Sequence, residues 1–228
     1  SSDDSIQGIT YGDQDFIYVS GQTYGSLDDQ INAGSEDAFI SKFDSDGNKI
    51  WTKLFGGSSD ADYAHNIVAG SNDSLFVTGY TKSDFNNQIN NGQEDIFIAE
   101  FNTEGNQQWI ELIGTPTLDV GHSLTVDENG FLYITGGTKG NLNGLENNGN
   151  EDIFITKIRL YPVIRGNSLY TIVDGPTWTD AEANANKLGG YLVSLNSSSE
   201  NVFIRNNFDF YGYHPQSSTD PNCYWIGL

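Results

Sequence analysis

The 228-residue sequence has no methionine and a single cysteine, Cys223. One thiol excludes an intrachain disulfide framework and a zinc site built on cysteines. Only ten Lys and Arg stand against 31 Asp and Glu, a formal net charge of −21. A field of that sign repels phosphate backbones and anionic lipid, which argues against nucleic-acid and membrane-surface partners. No run of about 18 apolar residues occurs, so membrane insertion as a helix is not expected. The motifs G-x-S-x-G, H-E-x-x-H and the phosphate-binding Walker loop are absent. Cys223 has no evident His partner, and no enzymatic centre is expected. Residue 1 is Ser, so the chain reads as a processed product or a fragment, with any targeting peptide out of view.

What is present is aromatic mass (13%), 26 glycines and a repeat. Tyr18-Val-Ser-Gly-Gln-Thr23 recurs as Phe76-Val-Thr-Gly-Tyr-Thr81 and Tyr133-Ile-Thr-Gly-Gly-Thr138, at steps of 58 and 57 residues. Glu36-Asp-Ala-Phe-Ile40 recurs at the same steps as Glu94-Asp-Ile-Phe-Ile98 and Glu151-Asp-Ile-Phe-Ile155. Gly47-Asn-Lys-Ile-Trp51 recurs once, as Gly105-Asn-Gln-Gln-Trp109. Each unit reads as four short strands. In the middle copy they fall near His65–Ala69, Leu75–Thr81, Asp95–Phe101 and around Trp109-Ile-Glu-Leu112. Phe97, Ala99 and Phe101 alternate with Ile96 and Ile98, so both faces of the third strand are apolar and the sheet is covered on both sides. Such a sheet, recurring every 57–58 residues, suits a blade packed between sister blades.

The order W-x-x-x-x-G-G, strand, Y-V-x-G-x-T, then D-A-F-I-x-K resembles the bacterial β-propeller repeat of seven-bladed type, over about residues 1–158. The resemblance implies a mainly β fold, a partial propeller of three four-stranded blades. The last copy is incomplete, because Lys157-Ile-Arg-Leu-Tyr-Pro162 stands where the Gly-Asn-x-x-Trp strand belongs. Three blades cannot close a ring, so the chain is expected to be part of a larger one.

Composition shifts at Pro162. Residues 1–160 hold 25 acids and 7 bases, residues 161–228 hold 6 and 3. Thr177-Trp-Thr-Asp180 and Ser197-Ser-Ser-Glu200 read as helix starts, for helices over about 178–188 and 198–206. Trp178, the Gly189-Gly-Tyr-Leu-Val-Ser-Leu195 run and Trp225-Ile-Gly-Leu228 resemble the first half of a C-type lectin-like domain. Ala185 stands where that family usually has a helix cysteine. The resemblance implies a small α+β lobe over residues 161–228, beside the propeller blades at 1–160. The family's calcium- and sugar-binding motifs lie beyond Trp225-Ile-Gly-Leu228.

Candidate sites are few. Asp44-Ser-Asp-Gly-Asn48 opens like an oxygen-rich calcium loop, making Asp44, Asp46 and Asn48 candidate metal ligands. The run then turns into a strand at Lys49-Ile-Trp51, which favours a hairpin turn. Asp37, Asp95 and Asp152 recur at the start of strand three, where a carboxylate can take backbone N–H bonds from the preceding loop. A ring of cation ligands is the alternative. Gly21, Gly79 and Gly136 inside strand two mark a bulge or a close backbone approach. His65 and His122 align with Gln7, which favours a structural role. Together these features point to a secreted or cell-surface bacterial protein that binds glycan or protein without catalysis, with calcium as a candidate cofactor. Two alternatives stand: a structural scaffold of a surface layer or filament, and a fragment of a propeller enzyme whose active site lies outside this chain.

Overall fold

The structure is a computed structural model that describes residues 3–70, 73–85, 88–128, 130–159, 163–165, 168–173, 178–187 and 225–227. The chain divides into two compact units, Ser1–Thr156 and Lys157–Leu228.

The first unit is mainly β. Strands β1 (Asp4–Tyr11), β2 (Ile17–Thr23), β3 (Asp37–Phe43) and β4 (Lys49–Phe55) form one antiparallel sheet in chain order, blade 1. Strands β5 (Asp62–Ala69), β6 (Ser74–Thr81), β7 (Asp95–Asn102) and β8 (Gln107–Ile113) form blade 2 the same way. Strands β9 (Asp119–Val126), β10 (Phe131–Thr138) and β11 (Asp152–Arg159) form a three-stranded blade 3. No fourth strand pairs with β11 among the described residues. The first strands β1, β5 and β9 carry the contacts between successive blades, while β4 and β8 lie at the outer edges. This is a meander-blade stack, with its core in the seams.

Sequence pattern explains the seams. Ile96, Phe97, Ile98 and Ala99 are all buried, as expected for a third strand apolar on both faces. Phe55 of β4 packs on Phe101 and Phe97 of β7, with ring centroids 4.9 and 5.7 Å apart. On the other face of β7, Ile96 lies against Gly121 of β9. Each fully buried side chain of this size contributes about 1.5–3 kcal/mol. Trp51 and Trp109 occupy equivalent places, tilted on Tyr18 and Phe76 at 6.1 and 6.4 Å. Both are only half-buried rather than fully buried, because they stand on the outermost strands, where no further strand covers them. Their polar partners differ: the Trp109 indole N–H donates to the Glu100 carboxylate, whereas Trp51 pairs across the ladder with Lys42.

The fourth strand is held by a clamp that the pattern did not reveal. Gln30 donates its amide to Thr52 O (2.6 Å) and accepts from Leu54 N–H (3.1 Å), binding the long loop to β4. Gln88 does the same to Ile110 and Leu112 of β8, at 2.6 and 2.9 Å. Leu145 stands at the corresponding place in the third copy and can make neither bond. The clamp is therefore missing in the one blade that shows no fourth strand among the described residues.

The second unit carries β12 (Val163–Arg165), β13 (Ser168–Val173), helix α1 (Trp178–Lys187) and β14 (Trp225–Gly227). The three strands pair antiparallel in the order β12-β13-β14. Helix α1 agrees with the expected helix at 178–188, and Ala185 on it is buried. The expected helix at 198–206 and Cys223 lie outside the described residues.

Candidate functional site

Three irregular positions converge on the innermost strands. The β1–β2 ladder slips between Ile6 and Gly8, the β5–β6 ladder between Ala64 and Asn66, and the β9–β10 ladder between Thr135 and Gly136. The unpaired residues at these slips are Gln7, His65 and His122. A bulge leaves one residue outside the ladder and re-aims its side chain. The register explains why those three positions align and why the apparent strand at His65 begins earlier, at Asp62: the slip interrupts the period-2 pattern. Opposite each bulge sits a strand glycine. A Cβ added to Gly21, Gly79 or Gly136 would overlap the carbonyl oxygen of Ser5, Tyr63 or Val120. Bulge and close approach are thus one feature.

The bulge brings aromatic side chains together. His65 and His122 stack nearly parallel, with centroids 5.7 Å apart and planes at 15°. Tyr63 and Tyr80 stack at 4.9 Å and 14°, and His65 meets the Tyr80 ring edge-on at 5.4 Å. His65 Nδ1–H donates to Gly121 O at 2.9 Å, tying blade 2 to blade 3. A carbonyl only accepts, so this bond fixes the tautomer and leaves Nε2 as an acceptor. Burial holds the His65 imidazole below its ordinary pKa, and neighbouring His122 adds to this against the Gly121 bond. Burial, then the charges of Glu94 and Glu36, push the Tyr80 hydroxyl above its usual range, so it remains a neutral donor. His122 is exposed and the other three rings half-exposed, so the cluster can meet a ligand.

The repeated acids act as expected of structural carboxylates. Asp37 accepts from Ala33 and Gly34 N–H, Asp95 from Asn91 N–H and Asp152 from Asn148 N–H. A second series escapes the sequence reading: Asp4, Asp62 and Asp119 open the first strand of each blade. Thr23 Oγ1 donates to Asp4 at 2.5 Å, and Thr138 Oγ1 donates to Asp119. A signal exists, since the three recur at the same 58- and 57-residue steps. Asn32, Asn90 and Asn147 form a third series, each donating to the carbonyl that ends strand two, at 2.8–2.9 Å.

Asp44 accepts from Asp46 N–H, Asn48 N–H and the Asn48 amide at 2.8–3.0 Å. These bonds hold its carboxyl below the usual range. Gly47 takes φ +82°, as Gly105 takes +78° in the matching turn. There Asn102 replaces Asp44 and accepts the same two backbone N–H groups. An uncharged amide serves equally, so these contacts support the hairpin reading. Asp46 contributes only its backbone N–H to the turn, and Asn48 its backbone N–H and its side-chain amide. Among the described residues no group of three or more His, Cys, Asp or Glu is placed to hold a metal ion.

Residues 50–86 and 108–143 match the family model described as "Beta-propeller repeat". Each match runs from the outer strand of one blade through the first two strands of the next, so the shared sequence unit spans a seam. The Regulatory protein FlaEY of Caulobacter vibrioides is 33% identical over 80 residues, covering 34% of this chain and 8% of that protein. An uncharacterized WD repeat-containing protein, L264, of Acanthamoeba polyphaga mimivirus is 29% identical over 121 residues, covering 46% of this chain and 9% of its own length. The chain thus spans less than a tenth of either curated relative. Matched motifs and sheet order agree: this chain carries β-propeller repeats.

Proposed function

We propose that the protein is a non-catalytic recognition module of a secreted or cell-surface protein, whose propeller blades present an aromatic face to a glycan or a protein. The observation that carries this reading is the Tyr63–Tyr80 and His65–His122 pair of stacks on β5, β6 and β9. Flat rings with polar tips offer apolar faces to sugar C–H groups or peptide side chains and hydrogen bonds at the rim. The acidic field disfavours phosphorylated or sulfated ligands. The name of one relative, a regulatory protein, suits a role exerted by binding. Among the described residues no helix is long and apolar enough to cross a membrane. In this reading residues 161–228 are the first half of a C-type lectin-like domain; helix α1 and the pairing of Trp225–Gly227 with β13 support it. The test is a screen of neutral and cationic glycans and peptides, followed by titration of Tyr80→Ala and His122→Ala. Each substitution should weaken the ligand at least about tenfold, on the scale of an interface hot spot, with the fold intact. Unchanged affinity in both would remove the axial face from the function.

A scaffold role is favoured by a different observation. Leu142, Leu145, Ile153 and Ile155 line a groove of about 300 Å³ on blade 3, and the last three are exposed or nearly so. Ordered self-association without added ligand, abolished by Ile153→Asp, would support that role instead.

A further inference from the structure

The seams between blades are polar at one end. At the first seam, Asp37 and Asp62 converge on Gly56. Asp62 Oδ2 and Asp37 Oδ1 lie 2.5 and 3.0 Å from where a Cβ on that glycine would sit. At the second seam, Asp95 lays its carboxyl against Gly114, and Asp119 binds the next residue, accepting from Thr115 N–H at 2.6 Å. Asp37 is 2% exposed and the other three 0%. No Lys or Arg is paired with any of the four among the described residues.

Each pair is asymmetric, but in opposite senses along the repeat: the well-supplied acid is the third-strand one at the first seam and the first-strand one at the second. One acid is well supplied with donors: Asp37 takes Ala33 and Gly34 N–H, and Asp119 takes Thr115 N–H and the Thr115 and Thr138 hydroxyls. The other is not. Asp62 Oδ2 accepts from Gly57 N–H and Asp95 Oδ2 from Asn91 N–H, but Oδ1 of each is buried without a hydrogen-bond partner. Two carboxyls facing each other in one buried seam, with no Lys or Arg paired to either among the described residues, resist ionising together.

We propose that Asp62 at the first seam and Asp95 at the second each hold a proton where they face a second buried acid, Asp37 and Asp119, and that this makes the packing of successive blades depend on pH. The groups facing Asp62 are Asp37 of β3, Asp60 just before β5, the Thr81 hydroxyl of β6 and Gly57 N–H after β4. Those facing Asp95 are Asp119 of β9 and Asn91 N–H from its own loop. Burial first, then the charges of Asp37 and Asp60, push the Asp62 carboxyl up to about 7. Burial, then Asp119, push Asp95 upward. A raised carboxyl keeps its proton in the folded chain after the unfolded chain has lost it. The stabilisation is therefore full below the unfolded pKa of about 4 and is lost as pH rises through about 7. The repeat supplies its own controls. Asp4 corresponds to Asp62 and Asp152 to Asp95, yet both stand on outward blade faces, exposed and half-exposed.

The test is denaturant unfolding of the whole chain between about pH 5 and pH 8, at fixed high salt to screen the general repulsion of a −21 protein. For Asp62 alone the unfolding constant should rise on the order of a hundredfold across that range. Asp62→Asn and Asp95→Asn should each flatten the dependence, because the amide donates permanently to the facing carboxylate. Asp4→Asn and Asp152→Asn should keep the wild-type slope. If a seam variant fails to fold, carboxyl carbon NMR of the wild-type chain decides: Asp62 and Asp95 should titrate well above the other aspartates. Equal slopes in all variants, or no aspartate titrating above about pH 5.5, would overturn the proposal. So would calcium that restores the acid-state midpoint at pH 8, because a metal ion rather than a proton would then occupy the seam.

Discussion

Blades 2 and 3 carry the same Glu-Asp-Ile-Phe-Ile segment in unlike surroundings. On β7, Ile96 and Ile98 are 1% and 0% exposed; on β11, the corresponding Ile153 and Ile155 are 92% and 74% exposed. Strand geometry and side chains are shared, so the difference is the neighbour. Blade 2 has the first strand of blade 3 against that face, and blade 3 has nothing against it among the described residues. The stability of a blade therefore resides largely in its seams, as in other repeat arrays where nearest-neighbour interfaces dominate. The same contrast holds at the polar end, where Asp95 is sealed and Asp152 is half-exposed.

The largest test of this contrast is truncation on both blades. Ile98→Ala should cost about 2–5 kcal/mol in urea unfolding, since it opens a cavity in a closed seam. Ile155→Ala should stay within about 0.5 kcal/mol, as for a surface change. Equal costs would mean that the blade-3 face is covered in solution. A second pair separates seams from blades. Gly79→Ala and Gly136→Ala each drive a Cβ into a carbonyl of the same blade, so both should lose about 1–3 kcal/mol whichever blade they occupy. Gly149→Ala, with nothing closer than 3.6 Å to the new methyl, is the neutral control. His65→Ala removes the bond to Gly121 and should cost about 0.5–1.5 kcal/mol, whereas His65→Gln, copying the residue at Gln7, should recover part of it. The smallest effect belongs to the hairpin turn. Asp44→Asn should change stability by less than about 0.5 kcal/mol, because Asn102 already holds the matching turn; differential scanning with and without calcium should give the same result for both proteins.

The axial cluster was the least legible part of the molecule in the sequence. His65 and His122 were visible as aligned residues, and alignment with Gln7 argued for a structural role. What the alignment could not carry is the bulge, which is a relation between two strands and re-aims the side chain. Tyr63 and Tyr80 gave even less signal, since their stacking joins residues 17 apart across a ladder whose register slips beside them. The glycines opposite were legible, because a strand gives up side-chain packing at a glycine and does so where backbone comes too close for a Cβ. The Asp4, Asp62 and Asp119 series recurs at the repeat step, but spacing alone marks it only as the start of a strand. Its meaning comes from facing acids supplied by the preceding blade.

The sequence by itself determined the repeat step, the four-stranded unit, the two-sided burial of β3 and β7 and the loss of the Gly-Asn-x-x-Trp motif in the last copy. These follow from period-2 hydrophobicity, turn residues and side-chain spacing, all local along the chain. Only the tertiary structure decided which equivalent residues differ. Ile98 and Ile155, or Asp95 and Asp152, are indistinguishable by type and spacing. Burial, a missing donor or a retained proton arises only when a second blade removes water from one of them.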